Sequence, residues 1–352
     1  MGRSLLRRGA VVLAVLLVPA FAAGQATAST GSAKQLASAT LNGDGSTFQL
    51  AFNQVVIGAF KPVQKSVTVN YQGVGSGQGR TDFANKVVDF AGTDAPYKAG
   101  SAPKDPFFYF PTVDAPITVS YNVSGVKALK LSADTAAKIF QGQITTWNDA
   151  AIASDNPKVK LPSTKITVVH RSDGSGTTQN FTGWLTKAAP SVWTLGSSST
   201  VQWPSGTQGA TGNSGVANLV KTTDGAIGYV DFSDAKASGL KFAAIKNAAG
   251  KYVVPNLAGA QEAVKAATVN PDLTYDPINA TGKKAYPITS PTWIIVYTNQ
   301  STAAKGQAMK AFLSYIYGDG QKLAQSVDYA RLPSSILKQA KAQLSKLVIP
   351  SS

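Results

Sequence analysis

No cysteine occurs anywhere in the 352 residues. That excludes disulfides, thiolate metal sites, a cysteine nucleophile and lipid attachment at an amino-terminal cysteine. Small exported modules lean on disulfides, but a chain this long can bury enough apolar surface without them. Histidine is nearly absent as well, His170 being the only one. It precedes Arg171 in a strand-like run, so the two side chains point to opposite faces and His170 reads as a packing residue rather than a general base. No cluster of histidine and acids has metal-ligand spacing. Ser175 lies in Asp-Gly-Ser-Gly-Thr, whose flanking positions do not make a G-x-S-x-G elbow. Residues 73–78 break G-x-G-x-x-G at its last position, and no turn ends in Gly-Lys-Ser/Thr. The expectation is a protein that is not an enzyme and uses no cofactor.

Long apolar runs are missing too, save one at the amino terminus. There Arg3, Arg7 and Arg8 precede an apolar stretch over 10–23, and Ala26-Thr27-Ala28 offers a small-x-small cleavage site. This is the pattern of a secretory signal over 1–28, and Pro19 and the short length argue against a spanning helix. Residues 29–41, rich in Ser, Ala, Thr and Gly, read as a flexible leader.

Acids are few, 18 against 33 lysines and arginines, three of which lie in the signal; the rest outnumber the acids by 12. Such a balance favours anionic partners. The lysines are dispersed rather than massed in an aromatic-laced stripe, so nucleic acid is not an expected partner.

What is present is an alternation. Runs rich in β-branched and aromatic residues (66–71, 117–122, 165–170, 293–297) interleave with helical patterns (48–60, 133–140, 304–317). The fold class expected is α/β, with mostly parallel sheets covered by helices. Length predicts two lobes, with chain crossings near 110–115 and 286–291, both containing proline. There is no internal repeat and no low-complexity linker.

Three segments share one design, a glycine-rich polar turn leading into a helix: residues 43–48, 73–79 before a helix over 81–87, and 171–178 before a helix over 179–185. Such turns leave N–H groups unpaired at a helix start, where the dipole favours negative charge. Glycine allows close approach, and Ser and Thr add hydroxyl donors. Each turn alone equally fits ordinary capping; three of them, one carrying Arg171, point to a small oxyanion. Arg171 supplies a planar charged fork, and Asp173 can hold it in place. Asp94 completes the set if it faces the same cleft. An ionised carboxylate accepts the proton of hydrogen phosphate but leaves sulfate with a repelled contact. By itself Asp94 also fits a loop-capping role before Ala95-Pro96.

The segments GDGSTF, NYQGVGSGQG, VDFAGTDAP, QGQITTWND, HRSDGSGTTQNFT, GAIGYVDF and YPITSPTWIIV resemble the signature segments of the phosphate ABC-transporter substrate-binding proteins. The resemblance runs over about 41–347. It implies a two-lobe periplasmic-binding-protein fold of type II, the Venus flytrap, with the ligand between lobe 1 (42–112 plus 289–350) and lobe 2 (113–288). It implies phosphate contacts from the Thr47 hydroxyl and Phe48 N–H, from Ser76, from Asp94 as proton acceptor, and from Arg171, Ser175, Gly176 and Thr177, with Asp173 pairing the arginine. The partners implied are inorganic phosphate and the membrane subunits of an ABC importer, with the protein itself expected to be a monomer. The lipid-attachment cysteine of many relatives is missing, so the location expected is periplasmic, wall-associated or secreted. A secreted scavenger or adhesin without an importer, or a receptor for another protonated oxyanion such as arsenate, remain the alternatives.

Overall fold

The computed structural model describes residues 35–351; the expected signal and the first part of the leader lie outside them. The main sheet has nine strands among the described residues, eight of them on one path: β1 (Ala39–Gly45), β2 (Val67–Gly73), β3 (Phe90–Thr93), β4 (Phe107–Asn122), β5 (Thr167–Arg171), β6 (Gln208–Ala210), β7 (Ala226–Asp231) and β8 (Thr289–Tyr297). They lie in the order β2-β1-β3-β8-β4-β7-β5-β6, with Lys241–Phe242 paired off β4. Helices α1 (Leu50–Phe60), α2 (Ser76–Ala84), α3 (Ala133–Phe140), α4 (Gly176–Ala188), α5 (Gly212–Thr222) and α6 (Ala303–Tyr315) are among those that cover it.

The two lobes meet on β4. Its residues 107–116 pair with β8 and its residues 117–122 pair with β7, so one strand changes partner at the Pro116–Ile117 step. Nearly all of β4 is buried, as a strand covered on both faces must be, and it buries Thr112, Asp114, Thr118 and Ser120 along with its apolar residues. Opposite the Thr292–Trp293 step of β8, β4 carries one extra residue, Thr112, a bulge that re-aims the side chains beside it.

The expectation of mostly parallel sheets is corrected here. β1, β2 and β3 run parallel, as do β5, β6 and β7, but β8 is antiparallel to both β3 and β4, and β4 is antiparallel to β7. The long strands that connect the lobes run against their neighbours, and single runs of apolar residues carry no sign of direction. β1 begins at Ala39, inside the stretch expected to be leader. Even Gln35 is tied down, its amide bonding Val63 O at 3.1 Å and Lys65 N at 3.0 Å.

Helix α2 starts at Ser76, five residues before the helix expected from 81. The glycines that read as a turn sit on the helix itself because backbone packs against them. A Cβ on Gly77 would lie 2.8 Å from Gly174 Cα, and one on Gly79 would meet the Gly45 backbone. Only the preceding Gly75 needs glycine for its conformation, at φ 92°. Likewise α4 starts at Gly176, with the Ser175 side chain capping it through Thr178 N.

At the crossing, Asp114 is buried in β4. Tyr275 donates to its Oδ1 at 2.8 Å, while Oδ2 has no partner among the described residues. Burial pushes this carboxyl up to about 7, and the tyrosine bond only partly opposes the rise. A carboxyl whose folded-state affinity for protons is raised stabilises the fold at low pH and loses that contribution as pH climbs from about 4 to about 7. Asp114→Asn is therefore expected to flatten the decline of unfolding free energy over that window, read from urea melts at a series of pH values. An unchanged slope contradicts a protonated Asp114 at the crossing.

Candidate functional site

The turn after β1 is fixed by its own donors. Ser46 N bonds back to Gly92 O at 2.9 Å, and Tyr71 donates to Ser46 O at 2.8 Å, fixing the turn against β3 and β2. The Ser46 hydroxyl accepts from Phe48 N at 3.0 Å and donates to Asp94 Oδ1 at 2.5 Å. Phe48 itself is fully buried, its ring edge-on to Tyr329. Asp94 lies just past the end of β3 and is 2% exposed. Besides Ser46, it accepts from Thr292 Oγ1 at 2.9 Å and from Ser76 Oγ at 3.2 Å. Burial raises this carboxyl to about 6, with the three hydroxyls and the charge of Arg171 pulling the other way.

The other lobe supplies Arg171 at the end of β5. Its N–H bonds Tyr229 Oη at 3.0 Å, and the same phenol meets Thr178 Oγ1 at 2.7 Å, locking the strand end to the first turn of α4. The guanidinium grips Asp173 through Nε at 2.7 Å and through Nη2. Burial opposes ionisation of Asp173, but the arginine and the Gly212 N–H outweigh it and hold the carboxyl below its usual range. His170 turns the opposite way and stacks on Trp203 with ring centroids 5.0 Å apart.

The nine residues expected at the site come together. A Cβ on Gly176 would lie 2.6 Å from Ser76 Oγ and 2.7 Å from Asp94 Oδ2, so the start of α4 faces the start of α2 at near contact. Gly77 N donates to Gly174 O at 2.8 Å, and Asn180 donates to Asp94 O at 2.7 Å. Asn213, on the first turn of α5, donates to Thr47 Oγ1 and to Thr177 Oγ1, both at 3.1 Å. One difference concerns Phe48: its N–H, expected to face a ligand, is engaged by the Ser46 hydroxyl.

Sequence reasoning missed Ser46, Thr292, Asn180 and Asn213. Asn213 was findable, since Gly209-Ala-Thr-Gly212-Asn213-Ser214-Gly215 is a fourth glycine-rich turn opening a helix. Ser46 sat inside a quoted motif. Thr292 sat inside YPITSPTWIIV but gave no signal of its own there, for a threonine in a buried strand is ordinary, and only the bulge in β4 opposite it marks the spot.

A cavity of about 320 Å³ adjoins the strand crossings and is lined by Asp94, Asn180, Tyr275 and Trp293, but by none of the other expected residues. Donors spaced this closely suit a tetrahedral oxyanion, a guest far smaller than such a cavity holds. Among the described residues no cluster of histidine and acids could hold a metal.

A model of the PBP superfamily domain matches residues 27–320. The chain is 35% identical over 324 residues to the phosphate-binding protein PstS of Xylella fastidiosa strain Temecula1, covering 88% of this chain and 86% of that one. Among solved structures it is similar to a high affinity periplasmic phosphate-binding protein bound with phosphate at pH 8.5, at a TM-score of 0.71 and 24% identity over 87% of this chain and 94% of that one. It is also similar to an ABC-type phosphate transport receptor from Vibrio cholerae, at a TM-score of 0.56 and 20% identity over 83% and 100% of the two chains.

The near contact at Gly176 is testable without any ligand. Gly176→Ala is expected to prop α4 away from Ser76 and Asp94, enlarging the radius of gyration in small-angle X-ray scattering while circular dichroism stays unchanged. Scattering identical to the parent contradicts the close approach.

Proposed function

Because the chain belongs to the PBP superfamily and, within it, to the phosphate-binding protein family PstS, we propose that it is an exported receptor that holds one inorganic phosphate between its lobes and delivers it to an ABC importer. The observation that carries this reading is the buried Asp94 carboxylate set among hydroxyl donors beside the starts of α2 and α4.

The residues divide the work. Thr47, Ser175 and Thr177 offer hydroxyls, and Ser76 and Gly176 offer N–H groups, at helix starts, where dipoles favour an anion. Arg171, held by Asp173, brings a positioned charge. Asp94 accepts a hydrogen bond from the proton that hydrogen phosphate carries. Sulfate brings no proton at neutral pH, so it would meet a buried carboxylate with nothing between them, a repulsion the site cannot relieve by solvent. No catalytic step is assigned to any of these groups.

Closure follows from the same contacts. With lobe 1 as 42–112 plus 289–350 and lobe 2 as 113–288, the bonds Gly77–Gly174, Asn213–Thr47 and Asn180–Asp94 all cross between lobes. Each contributes roughly 1 kcal/mol in net terms, so a ligand that touches both lobes tips the balance toward the closed form. The partner exchange of β4 at Pro116–Ile117 supports a hinge there.

Delivery to an importer rests on the relatives named above, and the absence of cysteine leaves the exported protein without a lipid tether on that residue. The test is calorimetry on the chain lacking residues 1–28, unfolded and refolded to strip carried-over anion. Phosphate is expected to bind one to one and sulfate not at all. Arg171→Ala is expected to weaken phosphate by roughly 2 kcal/mol or more, since it leaves Asp173 unpaired beside the anion. A folded protein indifferent to phosphate would overturn the proposal.

A further inference from the structure

Asp94 is wired more heavily than one ligand contact requires. Its Oδ1 receives two hydroxyls, Ser46 at 2.5 Å and Thr292 at 2.9 Å, and its Oδ2 receives Ser76 at 3.2 Å. Each of those hydroxyls already accepts an N–H, from Phe48 N, from Gln49 Nε2 at 2.7 Å and from Asp94 N respectively. A hydroxyl has a single proton, and one that is accepting from a fixed N–H turns that proton to its remaining partner. Thr292 has two such partners, Asp94 Oδ1 at 2.9 Å and Thr93 O at 3.2 Å, and the carboxylate is both nearer and the stronger acceptor.

Gln49 is itself fixed. Its second amide proton goes to Trp293 O at 3.0 Å, and its Oε1 accepts from Asn53 at 3.3 Å; Gln49, Asn53 and Thr292 are all essentially buried. Gln49 therefore presents an N–H, never a carbonyl, to Thr292. The bulge of Thr112 in β4 falls opposite the Thr292–Trp293 step, where β8 turns this hydroxyl toward Asp94.

We infer that Gln49 and Thr292 are positioning residues for anion selectivity: they saturate Asp94 Oδ1 with donors and hold the carboxylate ionised, so that only an oxyanion bringing its own proton is received at Oδ2. This rests on the reading of Asp94 as the acceptor of the ligand's proton. Other charged and titratable groups around Asp94 do not substitute for the chain. Arg171 at the end of β5 favours the carboxylate but is committed to Asp173. Arg80 on α2 bonds Thr93 Oγ1 and Ala95 O instead. Tyr71 on β2 and Tyr329 are held neutral by burial. Against the burial that raises Asp94, the hydroxyl donors are the principal opposing force.

Without the Thr292 proton, Asp94 binds a proton of its own at higher pH. A protonated carboxyl is uncharged and can donate, so sulfate is no longer rejected. The experiment is competition calorimetry of phosphate against sulfate from pH 5.5 to 8.5 on the parent, Thr292→Val, Gln49→Leu and Thr292→Ser. The phosphate preference of Thr292→Val is expected to collapse about one pH unit above that of the parent, the scale set by one lost hydrogen bond to a charged group. Gln49→Leu, which touches neither Asp94 nor the ligand, shifts the same way by a smaller step, and Thr292→Ser tracks the parent. Identical pH profiles in all four proteins, or a loss of affinity uniform across pH and across both anions, overturn the inference while leaving phosphate binding intact. A parent that fails to bind phosphate sinks the functional reading itself, and this inference with it.

Discussion

Burying an ionised carboxylate is among the costlier things a fold can do, and the arrangement of this protein follows from doing it at Asp94. The group is 2% exposed and must be satisfied by donors that the chain brings from far apart in sequence. The turn after β1 supplies Ser46, the start of α2 supplies Ser76, and the crossing strand β8, opposite the bulge in β4, supplies Thr292. Those three donors hold together the turn, the helix start and the lobe-crossing strand. The opposite lobe then closes onto the same point, with Gly176 approaching so near that a methyl group would not fit.

An anion site built this way needs little net charge. The site's arginine is paired with Asp173 and so supplies no net positive charge beside the ionised Asp94, and attraction comes from oriented N–H and O–H groups at helix starts. The excess of basic residues over acids sits elsewhere, mostly as exposed lysines. Neutral donors also confer selectivity that charge cannot. A field of lysines attracts every oxyanion, whereas a fixed acceptor among fixed donors reads the position of a proton.

Much of this was legible in the sequence. Glycine-rich turns before helices, Arg171 with Asp173, and Asp94 before Ala95-Pro96 marked the candidate residues, which the structure places close together. What escaped detection has physical causes. Gly77 and Gly79 read as a turn because glycine is rare inside helices, yet they permit the backbone of 174 and of 45 to pack directly on α2. Strand direction is invisible to periodicity, so the antiparallel course of β8 and β4 is not legible in their residues. Thr292 and Gln49 work through hydrogen-bond direction, which depends on a bulge and on partners more than 240 positions away. No local pattern encodes that.

A crystal structure grown with phosphate at pH 8 tests the central claim most directly. The account predicts phosphate enclosed between the starts of α2 and α4, with Asp94 Oδ2 within hydrogen-bonding distance of one phosphate oxygen and Arg171 still gripped by Asp173. Phosphate held elsewhere, or an Asp94 turned away from it, contradicts the account.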